Sequence, residues 1–202
     1  MQPIILASAS PRRQELLAQI GVSFTVRSQD IDESVQAGES PDHYVLRMAQ
    51  EKADSALSQF AAGQEDAGEI VLAADTSVVL GDSVLGKPVD EADAVAMLQR
   101  LSGREHRVLS AVAVATGDER RCAVSESLVT FRAIGLDEAQ RYYRSGEPVG
   151  KAGAYAIQGY GAVFVARIEG SYSGVMGLPL FETAGLLSDF SVPMRAGVEA
   201  GE

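Results

Sequence analysis

The chain has 202 residues, 46% of them hydrophobic, which suits one buried core, or two lobes sharing a sheet, better than two independent domains. A formal net charge of −11 argues against a broad nucleic-acid-binding face, because such faces neutralise phosphates with clustered Lys and Arg; any anionic partner must be met locally. The apolar start MQPIILASAS is too short to cross a bilayer and follows no basic region, so neither a membrane span nor a secretory signal is expected, and the cytoplasm is the expected address.

Taken in chain order, Pro3 to Ala7 reads as a strand, and Leu16, Leu17 and Ile20 mark a helix after it. Ser10 is placed to cap that helix, Pro11 suits its first position and Gly21 stops it. Residues 23–27 form a second strand, and a polar loop over 28–41 leads into a long helix from Asp42 to Ala61, bounded by Gly63 and an acidic loop. Ile70 to Leu80 is an apolar strand buried on both faces, and the turn at Gly81-Asp82 returns Ser83 to Leu85 as its hairpin partner. A helix follows over Glu91 to Leu101. Residues 107–116 and 122–132 alternate like antiparallel strands around Gly117-Asp118. A helix near Asp137 to Ser145, a strand over Ala162 to Ile168 and a closing helix over Leu178 to Phe190 complete a domain spanning 1–190, and residues 191–202 read as a frayed tail. The single cysteine, Cys122, excludes an internal disulfide and reads as an ordinary strand residue. His43 and His106 stand in polar contexts without ligand spacing.

Residues that break local rules point to function. Arg12 and Arg13 sit in the first turn of the first helix, where the macrodipole is positive and acids are preferred. Solvated arginines are the plain explanation, yet with Ser8, Ser10 and the free N–H groups of a helix start they also make an anion site. Lys52 falls inside the apolar stripe Val45, Met48, Ala49, Ala53, Ala56 and Phe60, so it either snorkels outward or faces a polar cleft with a negative partner. Asp75 interrupts the most hydrophobic strand; it is either a structural ion pair or a carboxylate for a metal or for a proton from water. Lys87 follows Gly86 at the hairpin's end, a surface cation or a second phosphate contact. The loop pair Asp32-Glu33 adds a second acidic point for a hard cation.

The segments LASASPRRQELLAQIGVSF, YVLRMAQEKA, LAADTSVVLGDSVLGKP and KAGAYAIQG resemble the Maf proteins in order and spacing, over nearly the whole chain. The resemblance implies an α/β fold of ITPase-like kind, with a curved mixed sheet, flanking helices and two lobes around a cleft. It also implies a nucleoside triphosphate pyrophosphatase dependent on a divalent cation, Mg²⁺ or Mn²⁺. On that likeness Asp75 is the proton acceptor, with Lys52 and Lys87 as its catalytic companions. Ser8, Arg13, Lys52 and Lys87 hold the triphosphate, and Glu33 with Asp75 lies near the cation. Arg12, Thr76 and Gln158 look like the group acting on dTTP and UTP, and Gln158 offers an amide donor and acceptor to a uracil or thymine edge. Lys151, in the glycine-rich loop, is expected to close over the nucleotide, and Tyr155 either stacks on the base or packs the loop.

Three readings compete with this one. The 7-methyl-GTP group of the family carries an aromatic residue after Ser-x-Ser-Pro and an acid at the Gln158 position, neither of which is present. Modified pyrimidine nucleotides remain open as substrates, since a pocket discriminates a methyl group only modestly. A regulator of septum formation that binds nucleotides without turnover is the reading from another class, and the intact Asp75, Lys52 and Lys87 speak against it. The likeness also suggests a homodimer, for which no apolar stripe identifies a surface; neither nucleic acid nor membrane is expected as a partner.

Overall fold

A computed structural model describes residues 3–61 and 69–195. The side chain of Phe60, the acidic loop after Gly63 and the tail from 196 lie outside the described residues. The elements are β1 (Ile4–Leu6), α1 (Pro11–Gln19), β2 (Phe24–Val26), α2 (Pro41–Ala61), β3 (Val71–Leu80), β4 (Ser83–Leu85), α3 (Glu91–Leu101), β5 (Glu105–Ala115), β6 (Arg120–Phe131), α4 (Leu136–Arg144), β7 (Val165–Glu169), α5 (Tyr172–Met176) and α6 (Leu180–Asp189). The strands form one mixed sheet in the order β2-β1-β3-β5-β6-β7, with β4 paired to β3 off this path. β1 runs parallel to both β2 and β3, and every other pairing is antiparallel. The architecture is the α/β mixed sheet with flanking helices expected from the sequence.

The pairing of β3 is what makes room for a site. One edge is bonded to β5 without a break from Val71 to Val79. On the other edge β1 reaches only Leu72, whose carbonyl accepts the Ala7 N–H at 2.8 Å, and β4 begins only at Val78. Among the described residues no strand flanks the stretch between. Because successive side chains of a strand point to opposite faces, Asp75 and Thr76 leave this open stretch in opposite directions.

Each face of the sheet has its own core. On one, Val71, Ala73, Val79, Leu109 and Ala111 pack against Val45, Ala49, Ala53 and Ala56 of α2. On the other, Leu72, Ala74, Val112 and Val114 pack against Leu16 and Leu17 of α1 and Leu186 and Leu187 of α6. A third cluster joins Val78 and Phe131 to Leu98 and Leu101 of α3 and Tyr142 of α4. With layers on both faces, β5 is buried continuously from Val108 instead of alternating. His106, in the same strand, is buried too: its Nε2 lies 3.0 Å from the Tyr155 hydroxyl.

The structure departs from the sequence reading at three further places. Ser10 occupies the N-cap of α1 but its side chain makes no cap bond; its backbone N–H is instead turned to Ser8 Oγ at 3.3 Å. The strand expected from Ala162 starts at Val165, because Tyr160–Phe164 is a 3-10 turn whose last carbonyl accepts the Arg132 N–H. A five-residue helix, α5, precedes the closing helix and is ended by Gly177, whose φ of 126° suits glycine alone. Val192, three residues past α6, is buried with Leu186 and Leu187 in the second core.

Candidate active site

A cavity of about 750 Å³ opens at the interrupted edge of β3. Its wall includes Ser8, Arg12, Arg13, Glu33, Lys52, Asp75, Thr76, Lys87, Lys151 and Gln158. These ten residues border one space, delivered by six different stretches of chain, whereas Asp32 is not among its lining. Ser8 comes from the β1–α1 turn and the arginines from the first turn of α1, Glu33 from the loop between β2 and α2, Lys52 from α2, Asp75 and Thr76 from β3, Lys87 from just beyond β4, and Lys151 with Gln158 from the glycine-rich loop.

Four of these form a run of alternating charge. Lys52 Nζ lies 2.8 Å from Asp75 Oδ1 and 2.7 Å from Glu33 Oε1, and Lys87 Nζ lies 2.8 Å from Glu33 Oε2. Lys52 and Asp75 are 8% and 9% exposed, so the lysine does not snorkel; it faces a polar cleft with negative partners, and the buried charges compensate each other. Burial alone would raise the Glu33 carboxyl, but the hydrogen bonds and charges of Lys52 and Lys87 outweigh it and hold its pKa at about 2.

Arg13 approaches from the other face. Its Nε donates to the Gly177 carbonyl at 2.8 Å and one terminal nitrogen to Ser8 Oγ at 3.1 Å; the other is 3.5 Å from Thr76 Oγ1. Thr76 Oγ1 is itself 2.9 Å from Ser110 Oγ, which donates to the Gly174 carbonyl at 2.6 Å. Burial lowers the guanidinium pKa, and the charges of Asp75 and Glu33 oppose that shift. Arg12 is turned differently: its guanidinium is held 2.7 Å from Glu15 on the exposed side of α1, although the residue still borders the cavity.

Sequence reasoning missed the residues that hold Glu33 in place. The Tyr44 hydroxyl donates to the Glu33 carbonyl at 2.9 Å, and Arg47 ties Ser34 O and Glu39 to α2 at 3.0 Å and 2.6–2.7 Å. Tyr44 borders the cavity, and burial together with the charges of Asp75 and Glu33 pushes its hydroxyl up to about 12. The available signal was the charge pattern Glu39, Arg47, Glu51, with Arg47 and Glu51 at the i,i+4 spacing of a helix. Tyr155 packs the loop: its ring meets Phe131 edge-on at 4.8 Å and its hydroxyl is bonded to His106.

Two carboxylates, Asp75 and Glu33, are the hard oxygen donors of the cavity, and among the described residues no group of three or more His, Cys, Asp or Glu could hold a metal. This donor set does not make an all-protein cage. It fits a small divalent cation that keeps water and takes its remaining oxygens from substrate phosphates, as Mg²⁺ does.

Residues 3–190 match the family described as Maf-like protein. The chain belongs to that family. Among curated Maf relatives, a protein of Cupriavidus metallidurans named dTTP/UTP pyrophosphatase is 55% identical, with 92% of this chain and 96% of the relative covered. Proteins of the same name from Burkholderia thailandensis and Hahella chejuensis are 53% and 50% identical, covering 91% and 94% of this chain and 91% and 92% of their own. Among solved structures, the Ham1 protein of Staphylococcus aureus aligns over 81% of this chain and 80% of its own at 14% identity, with a TM-score of 0.41.

Proposed function

We propose that this Maf-family chain hydrolyses dTTP and UTP to the nucleoside monophosphate and pyrophosphate. The observation that carries the reading is the alternating run Lys87–Glu33–Lys52–Asp75 along one wall of a cavity with Arg13 at another. The names of the relatives, at 50–55% identity over most of the chain, support both reaction and substrates.

In this reading the Asp75 carboxylate accepts a proton from a water whose oxygen bonds to the α-phosphorus. The bond from the α-phosphorus to the bridging oxygen breaks, and its electron pair leaves with pyrophosphate. Lys52, Lys87 and Arg13 offset the negative charge growing on the leaving and nonbridging oxygens, the electrostatic work that dominates phosphoryl transfer. Ser8 donates to a phosphate oxygen beside Arg13, and Lys151 draws the glycine-rich loop over the nucleotide. Asp75 and Glu33 would hold Mg²⁺ or Mn²⁺, which supplies Lewis-acid polarisation of the phosphates. Gln158, with Thr76 and Arg12, selects the pyrimidine. The address is the cytoplasm, where free triphosphates are used.

The test is pyrophosphate release by the purified protein with Mg²⁺ or Mn²⁺ across dTTP, UTP, CTP, GTP, ATP and 7-methyl-GTP. Preference for dTTP and UTP supports the reading. Binding without hydrolysis of any substrate overturns it in favour of a nucleotide-binding regulator.

A further inference from the structure

Glu147 lies on the loop that leaves α4, and it is not among the residues of the cavity wall. Its carboxylate is nonetheless saturated by the segment that bears Gln158 and by the tyrosine that holds that segment. Oε1 accepts from the Tyr142 hydroxyl at 2.7 Å and from the Gly161 N–H at 2.9 Å, and Oε2 accepts from the Tyr160 N–H at 2.9 Å. The Tyr142 hydroxyl accepts in turn from the Ala156 N–H at 3.1 Å. The stretch from Ala156 to Gly161 is therefore clamped at both ends by one acid and its tyrosine. Between the clamps lie Ile157 and Gln158, both facing the cavity.

The glycines on this stretch serve the same clamp. A Cβ at Gly159 would stand 2.3–2.6 Å from the carboxyl atoms of Glu147, and one at Gly161 would stand 2.6 Å from the Tyr142 hydroxyl and 2.7 Å from the Ala156 carbonyl. Only glycine lets the backbone come this close. Burial would raise the Glu147 carboxyl, but the Gly161 N–H, the Tyr142 hydroxyl and the Tyr160 N–H outweigh burial and lower it, with the nearby charge of Lys151 acting in the same direction. An ionised carboxylate accepting three bonds is a strong local fixing point.

We propose that Glu147 is a positioning residue for base selection: it fixes the backbone that carries Gln158, so that the amide meets the pyrimidine edge in one orientation. This rests on Gln158 being the base contact in the proposed pyrophosphatase. A clamp of this kind acts on the recognition of the base and leaves the phosphate-binding wall untouched, because Arg13, Lys52 and Lys87 are held by other partners.

The test compares wild type, Glu147→Ala and Glu147→Gln, each also in a Gln158→Ala background. It reads hydrolysis of dTTP and CTP, inhibition by inorganic tripolyphosphate, which has no base, and calorimetric binding of dTMP and dCMP. In Glu147→Ala the KM for dTTP is expected to rise about tenfold with kcat held within about twofold, as for loss of hydrogen bonds to a charged group that act on binding. The dTTP-over-CTP preference narrows, and tripolyphosphate inhibition stays at the wild-type value. Glu147→Gln, with one carbonyl acceptor left, falls between. In the Gln158→Ala background the narrowing disappears, as expected if Glu147 acts through Gln158.

An unchanged preference in folded Glu147→Ala, or equal losses of kcat and tripolyphosphate affinity, overturns the proposal. Should that variant fail to fold, Tyr142→Phe removes the hydroxyl link alone, and an unchanged preference there overturns it as well. If wild-type protein binds dTMP but hydrolyses no triphosphate, the pyrophosphatase reading falls and the dTMP-over-dCMP binding ratio of Glu147→Ala decides this one. Wild-type protein that binds neither overturns both.

Discussion

Lys52 donates to Asp75 from the middle of an apolar helix face, 2.8 Å away, and the same ammonium serves Glu33. One buried cation between two acids keeps both carboxylates in place without substrate. Removing it leaves Asp75 with an uncompensated buried charge. Lys52→Met is therefore expected to lower stability by about 3 kcal/mol in a urea melt, the scale of a broken buried pair. Lys52→Met with Asp75→Asn should recover much of that stability while remaining inactive. A single variant as stable as wild type would mean that the pair is solvated in solution.

Asp75→Asn keeps the shape of the side chain and removes its ability to accept a proton as a carboxylate. Turnover of dTTP should fall by about 10²-fold or more, the usual size of a lost general base. The KM should change far less, since Arg13, Lys87 and Ser8 are intact. Wild-type pyrophosphate release from the variant would withdraw Asp75 from both the base and the cation roles.

Gly177 has a φ of 126°, and its carbonyl accepts from Arg13 Nε at 2.8 Å. Gly177→Ala finds ordinary contact distances, 3.8 Å from Arg13 Nε and 3.9 Å from Thr76 Oγ1, so the cost is backbone strain, not collision. A loss of about 1–3 kcal/mol is expected. Because the carbonyl orients the guanidinium, the KM for dTTP should rise as well; stability lost with an unchanged KM would separate Arg13 from substrate binding.

Acid should weaken the fold in two windows. Burial lowers the His106 pKa to about 4 from 6.5, so the unfolded chain binds more protons between those values, and stability present above pH 6.5 is lost as pH falls toward 4. Glu33 opposes its own burial through Lys52 and Lys87 and sits at about 2 instead of 4.5, so its contribution is present above pH 4.5 and lost as pH falls toward 2. Melting temperatures against pH should show a shallower upper slope in His106→Gln and a shallower lower slope in Glu33→Gln. A variant curve parallel to wild type in its window would remove that residue from the account.

Lys52 and Asp75 were legible in the sequence because each breaks an otherwise apolar pattern, and such breaks survive without knowledge of partners. What they touch was not legible. Glu33 sits on the stretch from Arg27 to Ser40, which has no hydrophobic period to fix its path, and its position depends on Tyr44 and Arg47 reaching back from a helix. Glu147 reads as a solvated turn residue after Ser145 and Gly146, yet its backbone partners lie 13 and 14 positions further on. The sheet was readable strand by strand, whereas α5 was not: five residues around a glycine carry too little periodicity to stand out from a loop.

The opening beside β3 also depends on where a hairpin stops zipping. Continuing the register Val78↔Leu85 would set Gly86 against Ser77, Lys87 against Thr76 and Pro88 against Asp75. In that ladder the backbone groups of Gly86 face away from β3, and its carbonyl accepts the Gly153 N–H at 3.1 Å on that outer edge. The hairpin's pairing with β3 ends at Leu85, two rungs short of Thr76. Beyond it the chain that bears Lys87 is tied to the glycine-rich loop, and the mouth of the cavity lies between that loop and the unpaired edge of β3.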